Sequence, residues 1–261
     1  MSSNRNALIG YTGFVGGNLD SQSSFSHKYN TKNIDDINGQ SFELVISSAT
    51  KPEMWIANAD PEGDKARIQE LMSHLATIKT KQFVLISTIA VYPKPLGVDE
   101  DTDIEAQVAT PYGNNRYQLE QFCLEQFSNC LVVRLPGLFG DGLKKNIIFD
   151  LLHDNNVDRI DSRAVYQFYN LDRIWSDIQV ALKSSLPVVN FAVEPTSVAQ
   201  VAKAAFDLDF DQSTLPDDKL PDYDMHTKYA DKYGNSGNYL DTRANVLADI
   251  KDFVARERAK Q

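Results

Sequence analysis

The segment from Ala7 to Gly17 reads Ala-Leu-Ile-Gly-Tyr-Thr-Gly-Phe-Val-Gly-Gly, a short apolar run followed by closely spaced glycines. The apolar run predicts a buried strand, and the glycines predict a tight turn into a helix. Glycines let a backbone approach a pyrophosphate closely, and a helix N-terminus attracts its negative charge. The spacing is Gly-x-x-Gly-x-x-Gly rather than the commonest Gly-x-Gly-x-x-Gly. Its place between a strand and a helix predicts a dinucleotide-binding turn.

Three further apolar runs, at residues 44–46, 83–86 and 131–133, are short and do not alternate with polar residues. Such runs are typical of strands that are buried on both faces of a parallel sheet. Residues 61–80 and 112–127 instead carry apolar side chains at helical spacing. The alternation of strands and helices predicts an α/β fold with a doubly wound parallel sheet.

The chain is less regular beyond residue 136. We predict helices over 147–152, 171–182 and 244–260, a strand over 188–191, and a solvated loop over the aspartate-rich residues 207–224. A chain of 261 residues fits a single domain. Within it we predict a cofactor-binding core and a small C-terminal substrate-binding part. The core is about 1–136 and 170–192, and the substrate-binding part is about 137–169 and 193–261.

The composition argues against several classes of protein. A formal net charge of −10 disfavours nucleic acid or an anionic membrane as the main partner. No stretch reaches the roughly 20 apolar residues of a membrane-spanning helix, and the short polar N-terminus leads us to expect no signal peptide. Two cysteines and four scattered histidines predict neither a disulfide framework nor a metal site. We therefore expect a soluble cytoplasmic protein.

Residues 112–116 read Tyr-Gly-Asn-Asn-Arg, which places a tyrosine and a permanent cation four residues apart. On a helix these two positions share a face. A cation beside a phenol lowers the pKa of the phenol from about 10 toward neutral pH. We therefore predict that Tyr112 donates or accepts a proton, helped by Arg116.

Five motifs in a fixed order resemble the extended short-chain dehydrogenase/reductase superfamily, which includes nucleotide-sugar epimerases, dehydratases and ketoreductases. They are the glycine turn, Ser87-Thr88-x-x-Val91-Tyr92, Pro111-Tyr112-Gly113-x-x-Arg116, the run from Val133 to Gly140, and Val189-Asn190-Phe191 followed by Pro195-Thr196-Ser197. The resemblance covers about residues 6–205. It implies a Rossmann-like fold, NAD(P)-dependent hydride transfer on a nucleotide-activated sugar, and a homodimer as one expected state.

The same resemblance implies roles for individual residues. Tyr112 would be the general acid or base, Thr88 would hydrogen-bond the substrate oxygen, and Arg116 stands where the family has lysine. The expected cofactor-binding residues are Gly10, Thr12, Gly13, Phe14, Val15, Gly16, Lys32, Asn33, Ile34, Ser48, Ala49, Ser87, Tyr112, Arg116, Leu135, Pro136 and Leu138. Beside Thr88, we expect Lys145 and Asn146 to bind the substrate, with a diphosphate as the group they would meet.

NAD-selecting domains usually carry an acidic residue at the end of the second strand, where it binds the ribose hydroxyls. The corresponding residues 27–33 contain no acid, and Lys32 could meet a 2′-phosphate. We therefore predict NADP as the cofactor, with NAD as the alternative.

The residues after Thr88 limit which reactions of the superfamily we expect from this chain. Dehydratases of the superfamily place an Asp-Glu pair there, whereas this chain has Ile89 and Ala90. We therefore exclude 4,6-dehydration and keep reduction and epimerisation, which need only hydride transfer and Tyr112. The short C-terminal part favours a ketoreductase. Because Arg116 and Asn33 depart from the family pattern, a dinucleotide-binding sensor or scaffold without turnover is the rival hypothesis.

Overall fold

A computed structural model describes residues 5–51, 54–104 and 110–260. The strands are β1 (Asn6–Ile9), β2 (His27–Tyr29), β3 (Ser41–Ser47), β4 (Lys79–Thr88), β5 (Leu96–Val98), β6 (Cys130–Leu135), β7 (Gly137–Phe139), β8 (Val165–Tyr166), β9 (Phe168–Asn170), β10 (Val188–Asn190), β11 (Thr196–Ser197) and β12 (Asp224–Met225). The helices are α1 (Phe14–Gln22), α2 (Met54–Ala59), α3 (Pro61–Leu75), α4 (Pro111–Gln126), α5 (Ile147–His153), α6 (Ile174–Lys183), α7 (Val198–Phe206) and α8 (Arg243–Arg258).

The chain divides into two compact units. The first comprises the described residues of Met1–Lys94, Asp101–Leu135 and Ile174–Asn190, and the second comprises Pro95–Glu100, Pro136–Arg173 and the described residues of Phe191–Gln261. The assignment of a cofactor to the first unit and of a substrate to the second stays a prediction.

The first unit is built on a six-stranded sheet in the order β10-β6-β4-β3-β1-β2, and all its pairs are parallel. Helices α3 and α4 pack against each other, and α1 packs against α6. This confirms the predicted doubly wound parallel sheet. The strand order reverses beside β1, because β2 lies on one side of it and β3 on the other. Ligands of such sheets bind at the carboxyl ends of the strands on either side of this reversal.

The core of the first unit explains why the strands could be read from short apolar runs. Ile9, Val45 and Phe83 come from three neighbouring strands, and all are at most 1% exposed. They pack with Leu71 of α3 and Leu119 of α4 in one apolar cluster. Because helices cover the sheet, residues on both of its faces are removed from water, and the runs show no polar alternation.

The second unit contains three small sheets, formed by β7 with β9, β8 with β11, and β5 with β12. Gln167, which is 1% exposed, joins strand β12 to the segment around Val193. Its amide nitrogen donates to the carbonyl oxygens of Val193 at 2.6 Å and Met225 at 2.8 Å, and its oxygen accepts from the Met225 amide at 2.8 Å. A buried polar side chain is therefore fully used for structure here.

Most predicted elements of secondary structure are confirmed, with small errors at their ends. The helix predicted over 61–80 ends at Leu75, because β4 already begins at Lys79. The helix predicted over 171–182 begins as a 3₁₀ turn and becomes α6 at Ile174. The short helix α2 was not predicted from the sequence. None of the described helices is long and apolar enough to span a membrane.

Candidate active site

The glycine turn has the backbone geometry that its sequence predicts. Gly10 has φ +86°, which favours glycine, and its amide donates to the Tyr29 carbonyl at 2.8 Å. The Gly13 amide donates back to the Gly10 carbonyl at 2.9 Å. At Gly16, a Cβ would overlap that same carbonyl oxygen. Only glycine at position 16 therefore lets the first turn of α1 close onto the loop.

We expect Gly16→Ala to lower the free energy of unfolding by about 1–3 kcal/mol, because the loop must shift to admit the methyl group. Gly17→Ala is the matched control, since a Cβ there would lie an ordinary 3.8 Å from the Tyr11 carbonyl oxygen. In a helix that change is neutral or stabilising by up to about 1 kcal/mol. Urea unfolding of both variants makes the comparison. Equal stability of the two would show that the turn is not packed as described.

A cleft of about 370 Å³ opens at the carboxyl ends of β1 and β3, where the strand order reverses. Seven residues expected to bind a cofactor line it, namely Gly10, Thr12, Gly13, Ile34, Ser48, Ala49 and Arg116. Its lining also includes residues that the sequence did not single out, among them Asn30, Lys51, Asp64 and Arg67. Of the predicted set, Phe14 and Val15 lie in the first turn of α1 and are half-buried.

The turn after β2 holds two of the predicted cofactor-binding residues. The Asn33 side chain accepts from the Asn30 amide at 2.8 Å and donates to the Lys28 carbonyl at 3.0 Å. Asn33 therefore shapes the turn, and the contact with adenine that the family pattern implied stays a prediction. Lys32 is exposed on the same turn.

Ser87 and Leu135 lie at neighbouring strand ends, on β4 and β6. The Ser87 hydroxyl donates to the buried carboxylate of Glu120, so it is already used inside the protein. Leu135 is 3% exposed and packs in the interior. Neither residue lines the cleft, and their cofactor contacts stay predictions.

Helix α4 is started by local signals that place Tyr112 in its first turn. The Thr110 side chain caps the helix by accepting from the Gly113 amide at 3.3 Å, and Pro111 occupies the first helical position. The Tyr112 amide, which has no partner within the helix, donates to the Asn58 side chain of α2 at 3.0 Å. The backbone around Tyr112 is therefore fixed from two sides.

Tyr112 and Arg116 share a face of α4, as their spacing predicts. The Arg116 Cζ atom lies 3.8 Å from the centroid of the Tyr112 ring, so the guanidinium stacks on the phenol. The side chain of Thr88, at the end of β4, hydrogen-bonds the Tyr112 side chain. The three residues predicted to be catalytic are therefore brought together, and their roles stay predictions.

The pKa of Tyr112 is raised from its ordinary value of 10.0, which corrects the lowered pKa expected from the sequence. Burial has the largest effect and raises the pKa, because it disfavours the charged phenolate. The charge of Arg116 and hydrogen bonds from Arg116 and Thr88 lower it without outweighing burial, and the charge of Asp64 raises it further. Tyr112 therefore keeps its proton at neutral pH.

Arg116 is only 2% exposed and is held by groups from two other elements. Its Nη1 pairs with the Asp64 carboxylate of α3, and its Nη2 donates to the Lys51 carbonyl at 2.8 Å. The Asn115 side chain donates to the same Asp64 oxygen at 2.9 Å. Sequence reasoning missed Asp64, because an acidic residue in a first helical turn is usually explained by the helix dipole alone.

The remaining predicted residues belong to the second unit. Pro136 is buried directly after β6, and Leu138 lies in β7. Lys145 is exposed. The Asn146 side chain caps α5 by accepting from the Ile148 and Phe149 amides at 3.0 and 3.1 Å, and it donates to the Leu138 carbonyl at 2.9 Å. That structural role accounts for both polar atoms of the Asn146 side chain.

Within the part of the chain that the structure describes, no cluster of His, Cys, Asp and Glu side chains is suited to hold a metal ion.

No protein-family model matches this sequence, and no curated protein has significant sequence similarity to it. Solved structures do match along the chain. A UDP-N-acetylglucosamine 4-epimerase from Methanobrevibacter ruminantium M1, in complex with UDP-N-acetylmuramic acid, is 12% identical with a TM-score of 0.76, covering 100% of both chains. A dTDP-4-dehydrorhamnose reductase from Bacillus anthracis, in complex with NADP, is 15% identical with a TM-score of 0.73, covering 97% of this chain and 99% of that one. An NAD-dependent NDP-hexosamine 5,6-dehydratase involved in tunicamycin biosynthesis is 16% identical with a TM-score of 0.75, covering 99% of each chain.

These likenesses confirm the predicted α/β fold with a doubly wound parallel sheet. At such low identity they establish the fold alone. An epimerase, a reductase and a dehydratase share it, so the reaction of this chain has to be argued from its own residues.

Proposed function

We propose that this protein is an NAD(P)-dependent oxidoreductase that acts on a nucleotide-activated sugar, most simply a ketoreductase that uses NADP. The observation that carries the proposal is the place of Arg116. It lines the same cleft as Gly10 and Gly13, and it stacks on the ring of Tyr112. A dinucleotide bound at the glycine turn would thus share its cleft with Arg116, which is in contact with the proposed proton donor Tyr112.

The residues of the cleft fit a dinucleotide. The close approach at Gly16 and the positive φ of Gly10 give a tight turn in front of the N-terminus of α1. The N-cap residue, Gly13, has no side chain that could cap the helix, so the first amide groups of α1 suit a pyrophosphate. Lys32 and the absence of an acid from residues 27–33 support NADP over NAD.

The chemistry of the site follows from the protonation of Tyr112. A bound nicotinamide dinucleotide supplies a hydride, which would add to the carbon of a substrate ketone. Tyr112, which keeps its proton at neutral pH, would donate it to the ketone oxygen as an alcohol forms. Thr88, which hydrogen-bonds the same phenol, would orient that oxygen. A protonated phenol suits reduction better than the reverse reaction.

The substrate class rests on the superfamily resemblance and on the fold. Solved structures of this fold hold UDP-linked sugars or NADP. Ile89 and Ala90 follow Thr88 and bring no carboxylate that could eliminate water. Epimerisation is the second candidate, since it uses the same tyrosine and its enzymes share this fold. A homodimer stays a prediction.

Titration with NADPH and NADH, followed by nucleotide fluorescence, tests the cofactor. We expect NADPH to bind at sub-millimolar concentration and more tightly than NADH. Failure of both to bind would reject the enzyme and the sensor alike. Binding without turnover across a panel of nucleotide-linked keto-sugars would favour the sensor. Interconversion of two sugar epimers without net oxidation of the cofactor would favour the epimerase.

A further inference from the structure

We propose that Asp64 is a positioning residue of this site: its carboxylate holds Arg116 flat against the ring of Tyr112 and offsets the charge of that cation. The catalytic meaning of this contact rests on the proposed function. The contact itself is a property of helices α3 and α4, and it is testable without turnover.

The hydrogen bonds of Asp64 tie it to helix α4. It is 2% exposed, and one of its oxygens, Oδ2, accepts from both Arg116 Nη1 and Asn115 Nδ2. Both donors belong to consecutive residues of α4, so Asp64 joins α3 to the part of α4 that follows Tyr112. Burying a carboxylate is costly unless it is paired and hydrogen-bonded. Asp64 meets both conditions only while Arg116 stays in its stacked position.

Arg116 in turn depends on Asp64. Its Nε is buried and has no hydrogen-bond partner among the described residues. Hydrogen bonding of all its donors therefore does not explain the position of the guanidinium. Its ion pair with Asp64, its bond to the Lys51 carbonyl and its stacking on Tyr112 hold it there. A planar guanidinium can make all three contacts at once, whereas a lysine ammonium has neither the plane nor the second nitrogen.

The groups that face Tyr112 allow the effect of Asp64 to be isolated. Arg116 faces it from its own helix, Asp64 acts from α3, and the Thr88 hydroxyl acts from β4. The backbone carbonyl of Lys51, in the segment after β3, accepts a hydrogen bond from Arg116. The Asn58 side chain of α2 accepts a hydrogen bond from the Tyr112 backbone amide. Asp64 is the anion of this set, so neutralising it must favour the phenolate.

Two variants separate charge from anchoring. Asp64→Asn removes the charge but keeps an oxygen that can accept from Arg116, so we expect the pKa of Tyr112 to fall by about one unit. Asp64→Ala removes the anchor too, so the Arg116 Nε proton should exchange with solvent at least ten-fold faster. Asp177→Asn, which neutralises another buried carboxylate of the same unit, is the control and should change neither quantity.

Nuclear magnetic resonance of the cofactor-free protein measures both effects. Tyrosine labelled at Cζ reports the titration, with the Tyr112 signal assigned by its loss in Tyr112→Phe. The Arg116 Nε signal is assigned by its loss in Arg116→Lys. If Asp64→Ala fails to fold, the titration of Asp64→Asn decides alone. A Tyr112 pKa that does not fall in Asp64→Asn, or an Arg116 proton equally protected in a folded Asp64→Ala, overturns the proposal. Both shifts without any turnover would instead reject the proposed reaction and keep the role of Asp64.

Discussion

Replacement of Tyr112 by phenylalanine is expected to lower kcat by about 10²- to 10⁴-fold while NADPH still binds. The change removes the hydroxyl that would protonate the substrate oxygen and leaves the aromatic ring. Arg116 stacks on that ring, so the wall of the cleft should keep its shape. Steady-state kinetics with a nucleotide-linked keto-sugar, together with NADPH fluorescence titration, measures the two quantities separately.

Tyr117→Phe is the matched control for this experiment. Tyr117 lies on the same helix, directly after Arg116, and is half-buried. The Tyr117→Phe substitution removes the same hydroxyl group, but away from the helix face that Tyr112 and Arg116 share. We therefore expect kcat to stay within about two-fold, because substitutions away from a special structural feature usually have small effects. A Tyr112→Phe protein that keeps its full kcat would show that another group donates the proton, and the proposed mechanism would then be wrong.

The sheet could be predicted from the sequence because strands that are buried on both faces consist of consecutive apolar residues. Strands β1, β3, β4 and β6 each contain a stretch that is buried on both faces, and that stretch reads as a short apolar run. Strand β2, His27–Tyr29, is only three residues long, and its first two residues are polar. Length and composition therefore both hide it, although it sets the reversal of strand order at which the cleft opens.

The candidate site was predictable where its residues lie close in sequence. Four residues of spacing were enough to place Tyr112 and Arg116 on one face of α4. Asp64 is 52 residues away from Arg116, and no local pattern marks such a pair. The predicted direction of the shift in the Tyr112 pKa was wrong for a related reason. Spacing reveals the neighbouring cation, whereas the depth of burial, which has the larger effect, depends on the whole fold.

Asn146 shows how one sequence pattern can fit two roles. A polar residue after the basic pair Lys144-Lys145 suggested a ligand for a diphosphate. The apolar residues that follow it also fit a helix start, and asparagine is a favoured capping residue. The structure uses the side chain in that second way. The sequence is compatible with both roles, and the contact of Asn146 with a substrate stays a prediction.

A second buried ion pair in the first unit gives the largest expected effect on stability. Glu120 of α4 is 0% exposed and Arg134 of β6 is 4% exposed. Arg134 Nη2 donates to Glu120 Oε2 at 2.7 Å, and its Nε donates to Oε1 at 3.1 Å. Arg134 Nη1 donates to the Tyr92 hydroxyl at 2.8 Å, and the Asn190 amide donates to that hydroxyl at 3.0 Å. The pair is thus the centre of a network that joins α4 to β6, to β10 and to the segment that follows β4.

We expect Glu120→Ala to lower the free energy of unfolding by about 3–5 kcal/mol, because it leaves the Arg134 charge buried without its partner. Glu43→Ala is the control. Glu43 pairs with Lys81 at 2.7 Å on the surface of β3, where the two side chains are 40% and 75% exposed, and such pairs are worth less than about 1 kcal/mol. Urea unfolding measures both variants. Equal losses in the two would mean that Arg134 finds water or another anion once Glu120 is gone, and that the network does not hold α4 to the sheet.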